Sequence, residues 1–451
     1  MEYKHRGEEE IGKAIEEERS TGGGDGEVSN QAVAVAVAVV LPYELLVVEV
    51  LTRLPAKSLM RFKCVSKLWC STISKDPSFA KAHHARQPPG LFVTYSENDD
   101  SLSCFYATLP LPGGDKESFL APHKFTSPAC PPYSSSIRNN IGATEVVNGL
   151  FCLYSGNRSW ICNVSTREIR ELPSSWDVED HIIAFNYFLG FVSSRKEYKL
   201  LKVCFVHVYS HLGCINGWLR YGKLLTLGKD ASWRRPESLI HARAMDLSGR
   251  PSVYIDGSLC CWHHCGKTLV VYNFEDDSVQ NIDPPDAIAA TYYRRDSFLL
   301  QFGGHFALVR VLPRLLVNQR LEVWKLVSRN SYKQGSYEWI SHIIDLPCDL
   351  NLCDFKVGRY GFIGNLPLPT GDQMLLVGLV NNDRTIVTVY SYDHAKGEFE
   401  KVVSWLPSPQ VASISRWGWD MNELRVFYYE EDITPLDDLV ISNKNSSLIA
   451  E

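Results

Sequence analysis

Cysteine and histidine residues concentrate at one place in the chain, the stretch CCWHHC at residues 260–265. Thiolate and imidazole groups are zinc ligands, but zinc sites usually draw them in pairs, with a second pair elsewhere in the sequence. No second pair is evident. In a β-strand, Cys261, His263 and Cys265 would point to one face, and Cys260 and His264 to the other. The stretch is therefore better explained as a structural strand, and we predict no metal site and no cofactor.

Enzyme motifs with a defined spacing are absent from the sequence. The nucleophile elbow G-x-S-x-G, the complete phosphate-binding loop G-x-x-x-x-G-K-[S/T] and the zinc-binding pair H-E-x-x-H do not occur. The spaced glycines of GRYGFIGN at residues 358–365 are better explained as turn positions in a β-rich region. We therefore predict no catalytic residues and a protein that is not an enzyme.

The composition of the chain limits its class and its partners. It has 451 residues, of which 45% are hydrophobic and 22% charged, as in a globular protein with a sizeable core. A net charge of -6 provides no broad basic surface for nucleic acid. The 13 cysteines are too thinly spread for a disulfide scaffold. They predict reduced thiols and a cytoplasmic or nuclear location.

The apolar stretch AVAVAVAVVLPYELLVVEVL at residues 32–51 resembles a membrane anchor in length only. Pro42, Glu44 and Glu49 interrupt it, and the remaining run of about ten residues is too short to span a bilayer. The acidic clusters and glycines of residues 1–40 predict a disordered, low-complexity leader, and they argue against a signal peptide. We expect no membrane segment.

A change of pattern at residue 41 predicts a module of three short helices over residues 41–84. Pro42 is placed to start the first helix and Leu54-Pro55 to end it, while Asp76-Pro77 ends the third. The apolar positions at helical spacing are Leu46, Val47, Val50, Leu51 and Leu54; Leu59 and Phe62; and Val65, Leu68, Trp69 and Ile73. So small a module buries little core, so we expect it to share apolar surface with a partner.

The same residues resemble an F-box, with a Leu-Pro opening, a first helix that ends in Arg-Leu-Pro, then RFKCVSK, a Trp and a closing Asp-Pro-Ser-Phe. One departure is an extra residue between Leu41-Pro42 and the first helix. The resemblance implies docking on the Skp-type adaptor of a Skp-cullin-F-box ubiquitin ligase. The adaptor contacts that it implies are Leu41, Pro42, Leu54, Pro55, Leu59, Val65 and Trp69. Trp69 fits either the contact surface or the core of the module, and a core role is favoured for Leu46, Val50 and Phe62.

Beyond a linker at residues 85–90, short runs of β-branched and aromatic residues between turn signals predict an all-β region over residues 91–435, followed by a polar tail at residues 436–451. Five segments repeat a strand-turn-strand form at intervals of about 45 to 70 residues, which is typical of propeller blades. They are residues 159–173, 222–236, 268–285, 320–347 and 386–402.

This region resembles the plant F-box-associated domain, which is kelch-related and propeller-like. The similarity lies in VVNGLFCL at residues 146–153, NVSTREIRELP at 163–173, DGSLCCW at 256–262 and LEVWKL at 321–326. The fold class predicted is α+β multidomain: a small N-terminal three-helix F-box followed by a large all-β propeller-like domain.

The two resemblances together imply a non-catalytic substrate-recognition subunit. Its F-box would bind the adaptor, and through it the cullin, and its β-domain would bind a protein marked for ubiquitination and degradation. The alternative is a stand-alone protein or glycan binding module that is not coupled to a ligase. The substrate-binding residues stay unknown. Candidate loops and anchors are residues 109–136, Glu275-Asp276-Asp277, Trp176 and Tyr292-Tyr293, but each of them is better explained as a solvated turn or a core aromatic.

Overall fold

The structure of the protein, a computed structural model, describes residues 45–87, 90–98, 101–108 and 121–122, then residues 142–346 and 373–405 with short gaps, and finally residues 425–429, 431–433 and 435–440. The chain divides into two units, residues 1–45 and residues 46–451, and the description concerns the second. The predicted leader at residues 1–40, and the predicted contacts Leu41 and Pro42, lie outside the described residues.

The helical module occupies residues 46–87. A π-helical turn, Leu46–Val50, runs into a 3-10 turn, Leu51–Arg53, and three α-helices follow: α1 Ala56–Phe62, α2 Lys67–Lys75 and α3 Pro77–His84. Ser66 caps α2 by accepting a hydrogen bond from the Trp69 backbone N–H at 3.1 Å. Asp76 caps α3 by accepting one from the Ser78 N–H at 2.9 Å. Pro77, at the first position of α3, has no N–H that would need a partner.

The structure corrects the prediction for the first helix. The segment around Leu46 to Leu54 forms the π-helical and 3-10 turns in place of one α-helix. The hydrogen bonds of a π-helix close over one more residue than those of an α-helix, so the positions that share a face shift along the sequence. Val50, predicted to lie in the core, is therefore exposed, and Leu51 and Thr52 are buried instead.

The β-domain, residues 90–440, contains twenty-two strands in the described part of the chain. They are β1 Gly90–Asn98, β2 Ser101–Thr108, β3 Ala121–Pro122, β4 Gly142–Ala143, β5 Leu150–Ser155, β6 Arg158–Asn163, β7 Ile169–Glu171, β8 Ile182–Val192, β9 Glu197–Tyr209, β10 Ile215–Thr226, β11 Val253–Ile255, β12 Ser258–Trp262, β13 Leu269–Asn273, β14 Val279–Ile282, β15 Ser297–Phe302, β16 His305–Leu312, β17 Arg320–Ser328, β18 Tyr337–Asp345, β19 Gln373–Leu379, β20 Val387–Asp393, β21 Glu398–Trp405 and β22 Arg425–Tyr429. A short helix, α4 Asp286–Ala289, and a 3-10 turn, Asp437–Leu439, complete it.

These described strands form six antiparallel sheets, numbered here along the chain. Sheet 1 is β22-β1-β2-β3, sheet 2 is β4-β5-β6-β7, sheet 3 is β8-β9-β10, sheet 4 is β11-β12-β13-β14, sheet 5 is β15-β16-β17-β18 and sheet 6 is β19-β20-β21. Sheets 2 to 6 each use consecutive strands. In sheet 1 the last strand pairs with the first, with Gly90 opposite Tyr429, so the two ends of the β-domain are joined by a ladder. Radial repetition of this kind is typical of propellers.

Neighbouring sheets pack face to face through alternate side chains of the same strand. In β9, Leu200 packs toward sheet 2 and Leu201 toward sheet 4. The backbone at Gly190 in sheet 3 lies against the ring of Phe274, which follows the last residue of β13, so closely that a Cβ atom at Gly190 would overlap the ring. Each of the five predicted strand-turn-strand segments overlaps the last strand or strands of one sheet, which confirms the prediction of a propeller-like domain.

The C-terminal boundary predicted from the sequence lies too early. Leu436, predicted to begin a polar tail, is buried in the layer between sheets 2 and 3, and Leu439 and Val440 pack against the same layer. Among the described residues, no helix is both long and apolar enough to span a bilayer.

Candidate functional site

The helical module has a small core that includes one residue from the far end of the chain. Its buried residues are Leu51, Ala56, Leu59, Ile73, Phe79 and Ile433. Phe62 and Trp69 pack against this core and meet edge to face, with their ring centroids 5.3 Å apart. Because so few residues form the core, much of the apolar surface of the module stays outside it.

The structure separates the predicted contact residues into two groups. Val65 is 62% exposed, Pro55 is exposed, and Leu54 and Trp69 are half-buried, so each offers apolar surface to a partner. Leu59, in contrast, has no exposed surface, since it faces inward from α1 onto the core. Its predicted role as a direct contact is corrected to that of a core residue.

Further apolar side chains of the module face solvent. Leu68 in α2 is 56% exposed, and Val48 and Val50 in the π-helical turn are exposed as well. Exposed large apolar side chains that form a contiguous patch often mark a surface that meets another protein. We define the exposed apolar surface of the module as Val48, Val50, Val65 and Leu68.

Hydrogen bonds hold the chain at Leu54-Pro55, where the 3-10 turn passes into α1. The carbonyl oxygen of Leu54 accepts from His83 Nε2 at 2.9 Å and from the Gln87 side-chain amide at 3.4 Å. Burial lowers the pKa of His83, which keeps the imidazole neutral with its proton on Nε2. The corner formed by Leu54 and Pro55 is therefore fixed by side chains of α3 and the residues that follow it.

An ion-pair network lies beside this corner. Glu49 pairs with Arg53 at 3.0 Å and with Arg86 at 3.4 Å, and both interactions lower the pKa of the Glu49 carboxyl. Arg86 also donates to the Thr52 hydroxyl at 2.7 Å and to the carbonyl oxygen of Val48. The residues after α3 thus tie down the irregular first turns, whose own backbone pattern is not α-helical.

Comparison with known protein families finds a match for the helical module and another for the β-domain. The family described as "F-box associated beta propeller domain" matches residues 93–405, more than half of the chain, and the family described as "F-box domain" matches residues 40–81. The chain belongs to the F-box-associated β-propeller family. The helical module is its F-box, and this pairing of domains is that of the substrate-receptor family of Skp-cullin-F-box ligases. Proteins of this kind are generally non-catalytic.

Proteins similar to this F-box protein include several from Arabidopsis thaliana. It is 26% identical to the F-box protein At4g19940, over 80% of this chain and 85% of that protein. It is 28% identical to the F-box protein At2g40925, over 68% and 74%, and 30% identical to the F-box/kelch-repeat protein At4g19930, over 55% and 58%. Among solved structures, a chain of a nidogen/laminin complex matches this protein at 7% sequence identity with a TM-score of 0.36. The match covers 76% of this chain and 99% of that chain, and it supports no statement about function.

In the propeller of this F-box protein, the acidic turn Glu275-Asp276-Asp277, one of the candidate substrate loops, is hydrogen-bonded into the fold. Asp277 Oδ1 accepts from Lys199 Nζ at 2.7 Å and from the Tyr272 hydroxyl at 2.8 Å. Glu275 accepts from the Ser194 hydroxyl, and its carbonyl oxygen accepts from Arg195 at 2.5 Å. The turn thus fastens sheet 4 to sheet 3. Trp176, Tyr292-Tyr293 and, apart from Ala121–Pro122, residues 109–136 lie outside the described residues.

The cysteine- and histidine-rich stretch is a strand of the propeller. Cys260 and Cys261 in β12 point into different layers, Cys260 toward sheet 5 and Cys261 toward sheet 3, which confirms the alternation expected for a strand. Burial raises the pKa of the Cys260 thiol and so disfavours the thiolate that a metal would need. His264 and Cys265 lie outside the described residues. Within the described part of the chain, His, Cys, Asp and Glu residues form no group of three suited to a metal ion.

Two buried lysines give sheet 3 a polar interior beside sheet 2. Lys202 Nζ donates to the Ser175 hydroxyl at 2.6 Å, and Lys223 Nζ donates to the Ser175 carbonyl oxygen at 2.8 Å. Lys202 also lies over the rings of Phe185 and Tyr187, each at 5.1 Å from its centroid. These contacts are internal to the fold, and they give both buried ammonium groups hydrogen-bond partners in the segment that follows β7.

Proposed function

We propose that this protein is a substrate receptor of a Skp-cullin-F-box ubiquitin ligase. Its F-box binds a Skp-type adaptor, and its propeller binds a protein that is then ubiquitinated and degraded. The observation that carries the proposal is the exposed apolar surface of the F-box, because Val65 and Leu68 project from a folded module whose core is already complete without them. The family match supplies the kind of partner.

The chemistry of the partner surface follows from the charge of the helices. Residues 56–75 carry five Lys or Arg residues and no Asp or Glu, although the whole chain has a net charge of -6. A partner that covers Val65 and Leu68 therefore needs an apolar centre with acidic residues at its rim. Adaptor contacts at Leu54, Pro55 and Trp69 would extend the same interface.

In this proposal the protein does no covalent chemistry. The ligase holds the ubiquitin-charged enzyme, and the receptor holds the substrate at a distance from which transfer can occur, so its contribution is proximity. We propose a cytoplasmic or nuclear location. The cysteines of the described residues support it, because they form no disulfide with one another: Cys152, Cys162, Cys204, Cys260 and Cys261 are buried, and Cys64 and Cys70 are exposed.

The test is capture of a recombinant Skp-type adaptor by the full-length chain. A double substitution, Val65→Asp with Leu68→Asp, places two carboxylates in the apolar surface and is expected to weaken capture at least about 100-fold, since hot-spot residues carry most of the energy of an interface. The matched control is Ile340→Asp, an apolar residue of sheet 5 that is 42% exposed and lies outside the F-box.

Capture by the wild-type chain and by the control, but not by the double variant, would support the proposal. Equal capture by all three, or by none, would contradict it and favour the stand-alone binding module. Proximity labelling with the proteasome inhibited would then identify the substrate, as a protein that is labelled beside both the wild-type chain and the double variant but is ubiquitinated only with the wild type.

A further inference from the structure

The chain that follows the last strand, β22, passes between the F-box and sheet 2. Residues 431–433 and 435–440 are called the C-terminal clasp here. Gly90 at the start of β1 lies opposite Tyr429 at the end of β22, so the clasp leaves the β-domain beside the point where the chain enters it from the F-box. The F-box is therefore attached to the same place in the β-domain by two segments of chain.

On the F-box side, the clasp completes the core and caps a helix. Ile433 is buried in the same cluster as Leu51, Leu59 and Phe79. A carboxylate oxygen of Glu431 accepts from the backbone N–H of Ala56 at 2.7 Å, and the Glu431 carbonyl oxygen accepts from His84 Nδ1 at 3.1 Å. Ala56 is the first residue of α1, where the backbone N–H groups have no partner within the helix.

On the propeller side, the same clasp is fixed to sheet 2. The Asp432 backbone accepts from the Asn163 amide and donates to the Ser165 hydroxyl, both at 3.0 Å. Leu436 is buried between sheets 2 and 3, and its N–H donates to a Glu168 carboxylate oxygen at 3.3 Å. Asp437 pairs with Arg170 at 2.9 Å.

Ile433 and Leu436 are three residues apart, so their Cα atoms lie at most about 11 Å from each other even in extended chain. The cores of the F-box and of sheets 2 and 3 are therefore linked over a very short stretch whose two ends are both buried. Such a link allows little motion of the F-box relative to the propeller, because one of the two cores would have to open before the F-box could rotate.

We propose that Glu431 and Ile433 are positioning residues for adaptor binding: the C-terminal clasp holds the Leu54-Pro55 corner and α1 in the geometry that the adaptor reads, and it fixes that surface relative to the propeller. Leu54 and Pro55 immediately precede Ala56, whose N–H the Glu431 carboxylate accepts. This inference rests on the proposed function for its partner, while the clasp itself rests only on the contacts given above.

The test uses the full-length chain with Ile433→Ala, Glu431→Ala and Glu431→Gln, and with Leu439→Ala as the matched control. Leu439 lies in the same clasp but packs only against the layer of sheets 2 and 3. Two quantities are measured: hydrogen-exchange protection in α1, α2, α3 and sheet 2, and the Kd for a recombinant Skp-type adaptor.

We expect Ile433→Ala to lower protection in the three helices, to leave sheet 2 protected, and to raise the Kd about tenfold or more, because only the fraction of molecules with an ordered F-box binds. Glu431→Ala is expected to raise the Kd several-fold, and Glu431→Gln, which keeps an oxygen acceptor for the Ala56 N–H, to stay within about twofold of wild type. The Leu439→Ala control should leave the Kd unchanged.

Wild-type protection of the helices in Ile433→Ala, or a wild-type Kd in both Ile433→Ala and Glu431→Ala, would overturn the inference. If the wild-type chain itself fails to bind the adaptor, the proposed function is overturned instead. The exchange measurement then still decides whether the clasp orders the F-box.

Discussion

The propeller and the F-box bury their apolar residues in opposite ways. Adjacent residues of β9, Leu200 and Leu201, serve two separate layers, so every sheet in the middle of the β-domain is covered on both faces by its neighbours. The F-box has one small core, completes it with Ile433 from the far end of the chain, and leaves Val65 and Leu68 in solvent. A domain whose sheets cover one another's apolar faces suits a scaffold, whereas a small module that leaves apolar side chains in solvent suits docking.

The largest change in stability is expected from a substitution that disrupts the packing between two sheets of the propeller. Trp262 is fully buried between sheets 4 and 5. Trp262→Ala should destabilise the β-domain by about 3 to 5 kcal/mol, because it removes a large apolar side chain and leaves a cavity. The measurement is the urea midpoint followed by circular dichroism. The control Ile343→Ala, at an exposed position of sheet 5, should change stability by no more than about 0.5 kcal/mol.

A second substitution tests how tightly the layers fit. Gly190→Ala places a methyl group against the ring of Phe274 and should cost about 1 to 3 kcal/mol through overpacking between sheets 3 and 4. Adding Phe274→Leu should recover part of that loss, which a double-mutant cycle measures as a coupling energy. Additive effects of the two substitutions would show that the layers do not meet at Gly190.

A pH titration tests the difference between the F-box and the propeller, because a buried imidazole, that of His83, packs beside the F-box core. Burial and His84 lower the pKa of His83 below the ordinary value of 6.5, against the opposing effects of Asp432 and of the hydrogen bond to Leu54. The unfolded F-box therefore binds a proton more readily than the folded one. Its stability is complete above pH 6.5 and is lost as the pH falls from 6.5 toward the lower folded value.

Hydrogen-exchange protection factors of α1 and α3, which correct for the intrinsic pH dependence of exchange, check this expectation. The comparison is with His83→Gln, whose amide can still donate to the Leu54 carbonyl oxygen but does not titrate. The wild type should lose protection relative to that variant as the pH falls below 6.5. Burial raises the pKa of the Glu431 carboxyl above its ordinary value of 4.5, and the contribution of this group is common to both proteins. Parallel pH profiles would contradict the assignment.

The smallest effect concerns charge. Residues 56–75 carry five cationic side chains and no acidic ones, so their charge should attract an acidic partner during association. Raising the salt concentration from about 0.05 to about 0.5 M should therefore lower the association rate of the adaptor by about tenfold or less. The dissociation rate should change by a smaller factor. Surface plasmon resonance measures both rates. A salt-independent association rate would assign the interface to apolar contacts alone.

Local patterns in the sequence predict the scaffold well for a physical reason. Strand-turn-strand segments such as residues 159–173 carry their β-propensity and turn residues within a short window. Alternation along a strand is enough to assign Cys260 and Cys261 to opposite faces, where both are found. The order and spacing of these segments then indicate a propeller.

Features that depend on distant contacts are not predictable in this way. Nothing in the local pattern around Ile433 indicates that it belongs to a core more than 300 residues earlier in the chain. The exposure of Val50 depends on a π-helical turn, and the fixed position of Asp277 depends on Lys199 in another sheet. The extra residue between Leu41-Pro42 and the first helix leaves the register of that helix open, but it does not by itself predict a π-helical turn.

The most direct test of the F-box as the docking module is a hydrogen-exchange footprint of a Skp-type adaptor on the full-length wild-type chain. At saturating adaptor, exchange should slow over residues 48–75, which include the Leu54-Pro55 corner and the exposed apolar surface, and stay unchanged in β12 and β13 of the propeller. Unchanged exchange throughout the F-box, or protection confined to the sheets, would contradict the claim that the F-box is the docking module.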